Sequence, residues 1–429
     1  MHNHKRIKLL SESEINAIYG FPTFNKVEQS LYFEFNNQEM ETAGKYRTIK
    51  AKTYFLLSLG YFKAQQQFYA FDLKESRDAQ YVATKYFNNN VNLNGRLDKR
   101  TYKKQKNDIL ELLGYKNWSP DIESYIEQQL CSLLKCYPKT HSSLRQLICC
   151  FERQKIIIPT YRKLQDIFTS AFGVEEKRLK QILLSIPEPI QKNLSDLINR
   201  DENGITQLNI IRADQKNFQY TAIKDEVEKA RSIFELYEFS KNFIPTLCLS
   251  GNAVNYYADI AAQYATSRLR RLSKTQQWLH AICFVQYRYQ QIMDNLIISF
   301  LYHVKSILDG GKMFSETALA EHNSKLAVDF PKLVEFLKWF PKRDKNLTHE
   351  ELNSAAYNIL PKTQFSAFAE FISGNTFDKK AARWKFYLKS SRMFSLYLRP
   401  VLMAVDFVFY KEDNQIMELI KLLKKHYWV

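Results

Sequence analysis

From Ser273 to about Leu308 the chain repeats large apolar side chains at Trp278, Ile282, Val285, Tyr289, Ile292 and Leu296, with His303 further along. Spacings of three and four put these residues on one face of an α-helix. Such a helix would span on the order of 50 Å at 1.5 Å per residue. Its stripe reads as a core or subunit-contact surface rather than a cofactor box. Only 11 glycines and 11 prolines interrupt 429 residues, and long amphipathic stretches lie between them. The expected fold class is therefore all-α, a multi-domain helical array with a long central helix and few strands.

Stop and start signals divide the chain. Ser11 to Glu14 is an S-x-x-E capping box opening a short helix that ends near Gly20 and Pro22. Tyr54 to Lys63 predicts a buried helix with a break at Gly60, and Ala79 to Phe87 a short helix before an Asn-rich loop over 88–94. Ser119–Pro120 is an N-cap with proline in the first helical position, leading towards Cys136, and Leu144 to Gln154 predicts another helix. Thr160 caps a further helix that Gly173 should stop and Glu175 restart, a helix-turn-helix candidate or an ordinary helical hairpin. Residues 200–219 read as a polar linker, followed by an amphipathic helix from Ile223 to Phe243. Ser250 caps a helix through Leu272, and beyond the central helix the chain is expected to loosen between Asp309 and Asp329 around Gly310–Gly311. Helices are then expected from Pro331, from the Thr348/Glu351 capping box, from Thr363 and from Asp378, with an amphipathic helix at the end. The expected divisions are 1–117, 118–200, 201–248 and 249–429.

The chemistry suggested by these elements is cationic. The chain holds 62 Lys and Arg against 45 Asp and Glu, a formal charge of +17, which favours nucleic acid or an anionic surface as partner. The charge is densest in RLDKRTYKKQKNDILELLGY, residues 96–115, where Arg96, Lys99, Arg100, Lys103, Lys104 and Lys106 precede the apolar Ile109, Leu110, Leu112 and Leu113. As a helix this element offers cations at one end and an anchor at the other; a merely solvated basic face would carry the same pattern. Lys177, Arg178, Lys180 and Gln181, with Arg162 upstream, form a second candidate surface, and Arg268, Arg270 and Arg271 a third.

Other classes find little support. No apolar stretch is long enough to span a bilayer, and the N-terminus lacks the apolar core of a secretion signal. The six cysteines form neither a CxxC pair nor a His-partnered metal spacing, so reduced thiols are expected and no metal or other cofactor. Asp259, Asp294 and Asp406 sit singly in apolar helices, whereas two-metal nuclease chemistry needs converging carboxylates. His280 and His303 read as core or interface groups.

Several blocks, in order, resemble the N-terminal half of Tn-three family transposases. They are LSESEINAIYGFPTFN, LLSLGYFKA, YKKQKNDILELLGY, QKIIIPTYRKLQDIFTSAF, LSGNAVNYYADIAAQYATSRLRRL and QYRYQQIMDNLIISFLYHVK; LRPVLMAVDF looks like the family's middle region. The resemblance implies helical domains that recognise the terminal inverted repeats of a transposon, followed by a region that helps assemble a dimer. In that family an RNase H-like domain with a DDE triad and two Mg²⁺ ions lies further towards the C-terminus. This sequence ends at Val429, so no triad can be transferred and no catalytic activity is expected of it.

The resulting expectation is a non-catalytic, DNA-binding portion of such a transposase, located in the bacterial cytoplasm with the nucleoid. The alternative is an interaction protein that forms mixed dimers with an intact transposase through residues 274–308. Arg96, Lys99, Arg100, Lys103, Lys104, Arg268, Arg270 and Arg271 would neutralise phosphates of double-stranded DNA. Lys103 with Gln105 in the first module, and Arg178 with Gln181 in the second, are the candidates for reading base edges.

Overall fold

The computed structural model of the protein describes residues 7–74, 76–88, 97–199, 204–344, 346–373, 377–408 and 414–426. Among these, regular structure is helical, and an isolated parallel bridge joins Lys116 and Ile156. The chain divides into two units, Met1–Thr206 with Phe239–Phe284, and Gln207–Glu238 with Val285–Val429.

The first unit begins with three short, capped helices. Ser11 and Glu14 form the expected capping box of α1 (Glu12–Tyr19), and Asn25 and Asn36 open α2 (Lys26–Tyr32) and α3 (Asn37–Gly44) in the same way. Next comes α4 (Ile49–Gln65), buried from Thr53 to Phe62 on every side. It is the centre of a largely aromatic core in which Phe33, Tyr46, Tyr54, Phe55, Tyr61 and Phe62 pack with Ala79 and Val82 of α5 (Arg77–Phe87) and with Ile109 and Leu110 of α6 (Lys99–Leu113). Full burial of each such side chain contributes on the order of 1.5–3 kcal/mol. The helix does not break at Gly60. The glycine is there because the Phe33 ring and the Tyr32 carbonyl lie against it, and a Cβ would overlap the ring.

A second core joins α7 (Pro120–Cys136), α8 (Thr140–Gln154) and α9 (Tyr161–Leu183) through Ile126, Leu130, Leu147, Phe151, Ile167 and Phe168. The N-terminal segment returns to this core rather than to the first one. Leu9 and Leu10 are buried in it, and both their amides donate to the Tyr161 hydroxyl, at 3.2 and 3.3 Å. The Lys116–Ile156 bridge ties the two cores together, with the Lys116 amide donating to the Lys155 carbonyl at 2.7 Å and Ile157 packing on the first core. The unit is completed by α10 (Glu188–Ile198), the last residues of α12 (Tyr220–Phe243), α13 (Gly251–Gln263), α14 (Thr266–Arg270) and the beginning of α15 (Lys274–Trp339). Trp278 Nε1 donates to Ser195 Oγ at 3.1 Å, and the His280 ring nitrogen Nδ1 donates to the Tyr257 carbonyl at 3.1 Å. Burial pushes the His280 pKa down, so its imidazole is neutral at pH 7.

Within the second unit, residues expected to be a linker contain α11 (Gln207–Arg212), with Leu208 and Ile211 buried. Its end is held by Arg288, whose guanidinium donates to the carbonyls of Ile211 and Ala213 at 2.7 Å and to Asp214 at 2.9 Å. An arginine here satisfies carbonyls that the helix itself leaves unpaired. His303 contacts the Phe218 carbonyl at 2.7 Å and stacks on Tyr397, a core role. The expected loosening after Leu308 does not occur, because α15 continues through Gly310, Gly311 and Pro331. The glycine pair gives room to α18 (Lys379–Lys389): a Cβ on Gly310 would come within 2.8 Å of the Phe386 ring, and one on Gly311 would overlap Tyr387. The remaining helices are α16 (His349–Ile359), opened by the Thr348/Glu351 capping box, α17 (Lys362–Ile372), α19 (Ser391–Met393), α20 (Arg399–Ala404) and α21 (Asn414–His426).

Candidate nucleic-acid interface

Asp98 caps α6 by accepting from the Thr101 amide at 2.9 Å, and these backbone bonds hold its carboxyl below the usual range. Downstream, Ile109 and Leu110 are buried and Gly114 closes the helix at φ +71°. The exposed face of the N-terminal half carries Lys99, Arg100, Lys103 and Lys104. No acidic residue occupies the first turn, so Lys99 and Arg100 sit where the helix dipole is already positive, an arrangement that weakens an isolated helix. Lys106 is withdrawn from this exposed face: its ammonium lies 4.5 Å from the Tyr102 ring centroid and 5.1 Å from that of Phe68, and burial lowers its pKa.

Gln105 is a correction to the expected base readers. It is 1% exposed, and its Nε2 donates to the Ala51 carbonyl at 2.8 Å, which locks α6 onto α4. Arg96 lies outside the described residues.

The second candidate surface also changes. α9 is one helix through Gly173, so the expected helix-turn-helix break is absent. Leu164, Ile167, Phe168, Ala171, Glu175, Leu179 and Leu183 form one uninterrupted buried stripe, and packing of that stripe overrides the glycine's weak helix propensity. Arg178 is a further correction. Its Nε and Nη2 donate to the two carboxylate oxygens of Glu175, at 2.8 and 2.5 Å, and Glu175 is buried. This bond raises the Arg178 pKa and commits the guanidinium to the protein. Arg162, Lys177 and Gln181 are exposed, as is Lys180 between the latter two.

In the third group, the Arg268 guanidinium stacks 3.9 Å from the Tyr264 ring centroid and stays exposed, as does Arg271. Arg270 is half-buried, with Nε 3.4 Å from the Thr266 carbonyl. Gln276 donates to Glu176 at 3.2 Å, so the start of α15, just after Arg271, lies beside the α9 turn that carries Lys177. The second and third groups therefore share a neighbourhood, while α6 packs on α4 in the first core.

Beside Lys99 is a cleft that the charge pattern did not signal. It has a volume of about 710 Å³, and its lining includes Phe21, Tyr54, Phe71 and Tyr102 together with Asp72. The density of aromatic residues between Tyr54 and Phe71 was the only trace of it in the sequence.

The six cysteines are free thiols, and burial pushes Cys283 up to about 12. Among the described residues no three His, Cys, Asp or Glu side chains are placed to hold a metal ion, and no helix is long and apolar enough to cross a membrane.

Fold and surface together define a helical protein with cations displayed on helix faces. Residues 9–171 match a family described as a domain of unknown function, DUF4158. The match covers both hydrophobic cores of the first unit apart from the last turns of α9, and it includes the whole of α6. No curated protein matches the chain.

Proposed function

We propose that this chain is a DNA-binding portion of a Tn-three-type transposase, recognising the terminal inverted repeats of a transposon. The observation that carries the reading is the exposed Lys99, Arg100, Lys103 and Lys104 face, set at the positive end of α6 and anchored in an aromatic core. The ordered sequence blocks resembling that family give the nature of the target. Phosphate neutralisation falls to these four residues with Arg268 and Arg271, and base reading to Lys103, Lys177 and Gln181, which reach solvent.

Fluorescence anisotropy tests the reading with a duplex carrying the terminal repeat and a scrambled duplex of equal length, at low and near-physiological salt. A preference for the repeat that survives near-physiological salt is expected. Equal binding that collapses as salt rises would leave a basic surface without end recognition.

A second reading rests on the second unit, where Ile298, Leu301, Tyr302 and Leu308 are more than half exposed along one side of α15. Such a stripe suits a protein partner, an intact transposase among them. Co-purification without DNA binding would favour it.

A further inference from the structure

The aromatic cleft beside Lys99 combines two features that are each common and here adjoin. Its walls are rings. Phe71 stacks on Tyr54 with centroids 4.3 Å apart and planes inclined by 12°, and Tyr102 meets Tyr54 edge-on at 5.8 Å. Phe21 meets Tyr61 and Tyr69 edge-on at 5.0 and 5.4 Å yet remains 46% exposed. The lining also carries a cation, the exposed Lys99 in the first turn of α6.

Charge orients any occupant. A phosphate would be drawn to Lys99 but repelled by Asp72, which sits half-buried with one oxygen accepting from the Lys74 amide at 3.1 Å. A flat ring carrying an amino group suits the cleft, because it can stack on the exposed Phe21 ring and donate to the Asp72 carboxylate. An intact duplex cannot present this, as its bases are already stacked on each other.

Resting on the DNA-binding reading, we propose that this cleft takes an unpaired nucleobase from DNA whose backbone lies on the α6 cations. The protein would thus favour DNA with a frayed or extruded nucleotide over fully paired duplex. Stacking of a base on an aromatic side chain is sequence-tolerant and strong enough to bias binding by about tenfold.

The test uses the full chain and two labelled DNAs of equal paired length, one blunt and one ending in a three-nucleotide single-stranded fork. Anisotropy should show the forked DNA bound about tenfold more tightly. Phe21→Leu keeps an apolar side chain but removes the π face and should abolish the preference while leaving blunt-duplex affinity unchanged; Phe21→Trp should retain it. Lys99→Gln should weaken binding to both DNAs. Equal affinity for forked and blunt DNA, or a preference untouched in Phe21→Leu, overturns the cleft assignment while DNA binding stands. Failure to bind either DNA overturns both readings.

Discussion

Replacing Lys99, Arg100, Lys103 and Lys104 together by Gln should change stability and DNA affinity in opposite directions. All four side chains are exposed, and the burial that holds α6 in place comes from Gln105, Ile109 and Leu110. Glutamine has a helix propensity close to that of lysine and arginine. Removing two cations from the first turn lifts an unfavourable dipole interaction of about 0.3–1 kcal/mol each. The variant should therefore melt at or slightly above the wild-type temperature. Affinity should fall steeply. If each cation neutralises one phosphate, the slope of log K against log salt should become shallower by about 3–4. Raising salt from about 50 to 200 mM should then cost the wild type roughly a hundredfold more than the variant. Anisotropy titrations across that range, alongside circular-dichroism melts, measure both quantities. An unchanged salt slope in a variant that melts like wild type would refute a phosphate-binding role for α6.

Gly60→Ala should destabilise the first unit by about 1–3 kcal/mol, the usual cost of overpacking, because the new Cβ meets the fully buried Phe33 ring; urea denaturation followed by near-ultraviolet circular dichroism reads the loss. Arg178→Ala should cost about 3 kcal/mol, at the low end for breaking a buried pair because Arg178 is partly exposed, by stranding the buried Glu175 carboxylate. The discrimination between repeat and scrambled duplex should persist in the folded variant. Unchanged stability with lost discrimination would return Arg178 to the base readers.

Much of the helix layout is local and was legible in residues a few positions apart. Ser11 with Glu14, Ser119 with Pro120, Thr160, Ser250, Thr348 with Glu351 and Asp378 all cap helices as their spacing predicts. A capping side chain reaches only the next few amides, so three residues carry the whole signal. The stripe along α15 was equally legible, with Trp278, Ile282, Val285, Ile292 and Leu296 buried as their period requires.

What sequence by itself determined, then, was the helical class, most helix starts and the location of the cationic clusters. Tertiary structure decided the glycines and the fate of individual polar side chains. Gly60 and Gly310–Gly311 resemble breaks, yet each admits a ring from elsewhere in the fold, and Gly173 stays helical because the buried stripe of α9 runs through it. Gln105 and Arg178 look like their exposed neighbours, but one is consumed by a carbonyl 54 residues away and the other by the buried Glu175 one turn before it. The cleft beside Lys99 likewise exists only because α4, α6 and the segments around Phe21 and Phe71 converge. Local hydrogen bonds depend on neighbours in the chain, whereas exposure depends on what the rest of the fold brings alongside.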